Sequence, residues 1–78
     1  MSEEAIRLLR LLLERYEEFF DSQGYLNSEG MKVLERAARI LVQEERWVKN
    51  YVVKARRRRS HEDVLKLLEV VSTSDHRP

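Results

Sequence analysis

From Met31 to Arg77 the chain contains neither glycine nor proline. Those two residues are the strongest local breakers of helix and strand. Here the only glycines are Gly24 and Gly30, and the only proline is Pro78. A stretch of that length without a breaker leaves the α-helix as its default state. The apolar residues agree, because they recur at spacings of three and four rather than in alternation. The expected class is all-α: three helices, medium, long and short, packed as a small bundle.

The first helix is expected to start at Ser2, a good N-cap, with Glu3 and Glu4 in its first turn. Its charges at Glu3, Arg7, Arg10, Glu14, Glu17 and Asp21 form one solvated stripe. The other side carries Ala5, Ile6, Leu9, Leu12, Leu13, Tyr16, Phe19 and Phe20, and Leu8 and Leu11 widen it. The helix should end near Ser22 or Gln23, with Gly24 in the left-handed position just past it.

The second helix begins with Asn27 as cap, and Leu26 and Met31 take the hydrophobic-staple positions. Its apolar stripe runs Leu34, Ala37, Ala38, Leu41, Val48, Val52 and Ala55, with Trp47 and Tyr51 beside it. Glu44 and Glu45 interrupt the stripe without a breaker, so the pattern predicts one helix as far as about Arg58. Ser60 then caps a third helix, with Asp63 at capping-box spacing. Its apolar face is Val64, Leu67, Leu68 and Val71. The domain reading is a single helical unit over residues 1–72 and a polar tail over 73–78.

Length turns this layout into a question of assembly. A second helix of about 31 residues would be roughly 46 Å long, whereas a compact domain of this size has a radius of gyration of about 12 Å. Two shorter helices can cover such a rod from one side only. Either the rod bends, or a second copy covers the bare side. The expectation is the second: a homodimer through the long helix.

Composition narrows the chemistry. Hydrophobic residues make up 42% and charged residues 37% of the 78, which suits a folded helical protein with a charged surface. Cysteine is absent, which excludes disulfides and thiolate metal sites. No apolar run has the length of a membrane span, and the Met-Ser-Glu-Glu start is acidic and unlike a signal peptide. The expected setting is intracellular, cytoplasmic or nuclear, with no membrane and no small-molecule partner.

Catalytic signals are missing. His61 and His76 have neither the spacing nor the neighbours of a metal site. The carboxylates at Glu3–Glu4, Glu17–Glu18, Glu44–Glu45 and Glu62–Asp63 are sequence neighbours, which diverge on a helix rather than face each other. No phosphate-cradling glycine loop is present. No enzyme, no cofactor and no metal are expected. For Glu44–Glu45 two readings stand: a buried polar layer meeting a base, or two acids rotated into solvent.

Charge segregation is the strongest functional signal. Residues 1–31 hold seven acids and three bases, a balance of −4, and residues 32–59 hold ten bases and three acids, a balance of +7. The bases concentrate in Lys49, Lys54, Arg56, Arg57, Arg58 and Arg59. Cations suit the negative end of a helix dipole, but four consecutive arginines exceed that need and repel one another. The candidate partner-binding residues are therefore Trp47, Tyr51, Lys54, Arg56, Arg57, Arg58 and Arg59. The functional expectation is a protein–protein interaction module that associates with itself through the second helix. The alternative is a small nucleic-acid-binding protein using the basic segment from Lys49 to Arg59. Arg57-Arg58-Arg59-Ser60 also matches a short pattern favoured by basophilic kinases.

Overall fold

The computed structural model describes residues 3–73. Helix α1 spans Glu3–Glu14, α2 is a single turn at Tyr16–Phe19, and α3 spans Ser28–Glu44. A 3-10 turn, Arg46–Val48, leads into α4, Lys49–Arg58, and α5 spans His61–Thr73. No strand forms among the described residues, but two isolated antiparallel bridges do, Phe20 with Leu26 and Tyr25 with Ser60. The class is all-α, as the patterning predicts, although two of the three expected helices are divided. The polar tail, His76 within it, and the Ser2 cap lie outside the described residues, apart from Thr73, which closes α5.

The first correction falls at Arg15. The sequence has no breaker there, yet Arg15 sits at φ −110°, ψ 56° and ends the run of α1. Its carbonyl then accepts from the N–H groups of Glu18 and Phe19 to start α2. The gain is burial. Two adjacent aromatic residues on one helix diverge by about 100°, so an unbroken helix could sink only one of them. After the break both Phe19 and Phe20 are buried. Tyr16, expected in the core, is instead 39% exposed. Its ring stacks on Phe20 at 4.8 Å, and both rings meet the edge of His61 at 5.4 Å.

The joint into α3 follows the sequence closely. Asp21 Oδ1 accepts from the N–H groups of Gln23 and Tyr25 at 2.9 and 3.0 Å, and Gly24 takes a positive φ of 88°. Asn27 Oδ1 accepts from Gly30 N–H at 2.8 Å, while its amide donates to the Glu18 carbonyl at 2.9 Å. One side chain thus caps α3 and ties it to α2. Gly30 is needed for closeness rather than for a turn. A Cβ there would stand 2.7 Å from Leu26 Cδ2 and against the Phe19 carbonyl.

The second correction falls at Glu45. It adopts φ −137°, ψ 92°, which splits the expected long helix into α3 and α4. The backbone does not open fully. Glu45 N–H donates to the Leu41 carbonyl, and the Glu45 carbonyl accepts from Val48 N–H. The physical reason is again coverage. A straight rod would carry half its stripe past the neighbouring helices. With the bend, α1 packs on α3 and α5 while α4 packs on both α3 and α5. The radius of gyration is 11.5 Å, that of a chain closed on itself.

The core is a single apolar cluster. Leu9 and Leu12 from α1, Leu34 and Leu41 from α3, Val48 and Val52, and Val64, Leu67 and Val71 from α5 are essentially inaccessible to water. No polar or charged side chain is buried among the described residues. Leu68, expected deep, is only half-buried, because Val64, Leu67 and Val71 set the inward face of α5. Ser60 caps α5 as its spacing indicates: Asp63 N–H donates to Ser60 Oγ at 3.2 Å, and that hydroxyl donates to Asp63 Oδ2 at 2.6 Å. No helix among the described residues is long and apolar enough to cross a membrane.

Candidate binding surface on helix α4

Helix α4 has two sides with different chemistry. Val52 and Ala55 face inward and are buried. At about 100° per residue, the opposite side falls on Asn50, Val53, Lys54, Arg57 and Arg58. Those five residues line one shallow concavity. From Arg46 to Arg59 the sequence has seven bases and no acid. Positive charge is therefore not diluted along this segment, and the helix geometry gathers part of it on one open face.

The seven residues singled out by the sequence do not all share that face. Lys54, Arg57 and Arg58 do, and among the described residues none of the three enters an ion pair. Arg56 points elsewhere: its Nε donates to Glu35 Oε2 at 3.0 Å, bracing α4 against α3. Both side chains of that pair are well exposed, so the bridge contributes at most about 1 kcal/mol. Tyr51 lies on the other flank, in a narrow groove between α4 and α5 lined by Asn50, Lys54, Asp63, Lys66 and Leu67. Trp47 is half-buried; its indole N–H donates to Glu45 Oε1 at 2.7 Å, and its ring meets Tyr51 edge-on at 6.5 Å. Trp47 serves the bend, and Tyr51 borders the basic face through the groove it shares with Asn50 and Lys54.

Arg59 has its own geometry. It ends α4 in the left-handed conformation, φ 56°, ψ 24°, the one residue other than glycine with positive φ among those described. Its N–H donates to the Ala55 carbonyl at 2.8 Å, and its carbonyl accepts from Leu26 N–H at 2.8 Å. His61 N–H donates in turn to the Gly24 carbonyl at 3.0 Å. The turn after α4 is thus stitched to the turn before α3, and the exposed Arg59 side chain leaves a backbone fixed on both sides.

Other candidates resolve differently. Glu44 is exposed and Glu45 half-buried at the bend, so these acids form no buried polar layer. The Ser60 hydroxyl is engaged in the α5 cap. No group of three or more potential ligand side chains among the described residues is arranged to hold a metal. The sequence reading missed Asn50 and Val53, which complete the basic face. Spacings of three, four, seven and eight counted from Asn50 reach Val53, Lys54, Arg57 and Arg58, and that count was the available signal. Glu35 as the partner of Arg56 had none, since 21 positions separate them. Comparison with protein-family models, curated proteins and solved structures finds no match to the chain.

Proposed function

We propose that the chain is a non-enzymatic helical interaction module whose binding face is the outer side of α4 and whose partner is anionic. One observation carries the reading: Lys54, Arg57 and Arg58 share an open surface, and none of the three forms an ion pair among the described residues, although Asp63 borders Lys54 across the groove toward α5. Like charges held together in that way repel, and an arriving anion relieves the repulsion. A helix dipole alone calls for fewer cations at its end. Self-association through one long second helix loses its motive, because the bend at Glu45 lets α1 and α5 cover the stripe of Leu34, Leu41, Val48 and Val52 within the same chain.

The test is charge reversal at exposed positions. The double variant Arg57→Glu, Arg58→Glu should keep the helical circular dichroism and cooperative melting of the parent. At low salt the parent should bind at least one of two labelled polyanions, a short DNA duplex or poly-L-glutamate, and the variant should lose that binding. A parent that binds neither polyanion would overturn the reading.

A further inference from the structure

We propose that the partner of this face is the phosphate backbone of a double-stranded nucleic acid, with α4 laid along it; this rests on the basic face of α4 being the binding surface. The first argument is the shape of the charge. Asn50, Lys54, Arg57 and Arg58 are strung along one side of a rigid helix rather than clustered at a point. From Asn50 to Arg58 the helix rises about 12 Å. Phosphates on one strand of a duplex advance about 3.4 Å each along the axis. The line of four donors, with neutral Asn50 at its start and the cations over about its last 6 Å, one turn, therefore spans three to four phosphates.

The second argument is what the face lacks. The core of a protein interface is apolar and aromatic and depleted of charge, arginine being the enriched exception. Here the centre is cationic, and Val53, 41% exposed, is the one apolar side chain lining it. Single-stranded nucleic acid is held by bases stacked on aromatic rings. Trp47 is half-buried and hydrogen-bonded to Glu45, and Tyr51, 39% exposed, stands at the edge of this face in the groove it shares with Asn50 and Lys54. A polar, densely positive surface with its single accessible ring at the edge is the kind that duplex phosphates select.

The third argument is Arg59. A left-handed backbone costs about 1 kcal/mol or more for a residue with a Cβ, and glycine would escape that cost. Arginine at this position keeps a fourth consecutive cation directly after Arg58, where α4 ends. The backbone bonds to Ala55 and Leu26 hold it there before any partner arrives.

The test measures binding of the intact chain to three labelled probes: a mixed-sequence DNA duplex, one of its single strands, and poly-L-glutamate. With Lys54, Arg57, Arg58 and Arg59 each on a phosphate, log K for the duplex should fall with log salt at a slope of about −3.6. Arg59→Gly should make that slope shallower by about 0.9, and Arg57→Glu with Arg58→Glu by about 1.8 or more. The glycine variant should be at least as resistant to heat as the parent, so its weaker binding is not a folding defect. Binding of poly-L-glutamate without the duplex would overturn this proposal and leave the anionic face standing. Preference for the single strand, or duplex binding unchanged by both variants, would also overturn it. Failure with all three probes would remove the face itself.

Discussion

Helices α3 and α4 were one element in the sequence pattern and are two kinds of helix in the molecule. Over Ser28–Glu44, α3 carries three acids, Glu29, Glu35 and Glu44, against three bases, Lys32, Arg36 and Arg39. Several of them pair: Lys32 with Glu29 at 3.3 Å, Arg36 with Glu4 at 3.9 Å, and Glu35 with Arg56 at 3.0 Å. Over Lys49–Arg58, α4 carries five bases and no acid. The first helix spends its charges on its own neighbours, and the second turns most of them outward. A helix whose outer charges are paired and a helix whose outer charges are left open can thus share one hydrophobic stripe and differ only in what stands on the other side.

The comparison breaks most visibly in the core. Leu41 of α3 is fully buried, so Leu41→Ala should cost about 2–5 kcal/mol in chemical denaturation. Val53→Ala on the outer side of α4 should stay within about 0.5 kcal/mol. Equal losses at the two positions would mean that the α4 face is part of the fold. A smaller effect is expected at Gly30, where α3 approaches α2. Gly30→Ala must displace Leu26 or the Phe19 backbone, and a loss of about 1–3 kcal/mol is expected from that overpacking. A stabilised variant, as ordinary helix propensity alone would give, would show that the approach is looser than described. Smaller again is Asn27→Ala, which removes the α3 cap and the bond to Glu18. Its cost should be about 1 kcal/mol, read as a lower midpoint with an unchanged denaturant slope.

Much of this was legible where local chemistry decides structure. The Asn27 cap, the left-handed Gly24 and the Ser60–Asp63 cap each depend on residues within a few positions of one another. The inward faces of α3 and α5 followed from their spacing, with Leu68 the exception. The break at Arg15 was not legible, because arginine is no breaker; the one at Glu45 showed only as the interruption of the stripe at Glu44–Glu45, which left a bend there as the alternative to a continuous helix. Each break serves contacts outside the helix it ends: Phe20 pairing with Leu26 in one case, α4 closing on α5 in the other. The basic segment was plain in composition. Its division into an outward trio and a braced Arg56 needed Glu35, which only the folded chain brings near.

Helix ends ordinarily fray, and an end carrying Arg56, Arg57, Arg58 and Arg59 in succession has reason to do so. Unwinding by one turn would spread those charges apart. Here that escape is closed, since Leu26 N–H holds the Arg59 carbonyl and the Gly24 carbonyl holds His61 N–H. The last turn of α4 is therefore held in place by backbone bonds just beyond its C-terminal end. An anion that neutralised these arginines would leave that turn less strained by like charge, so the melting temperature of the chain should rise with the ligand.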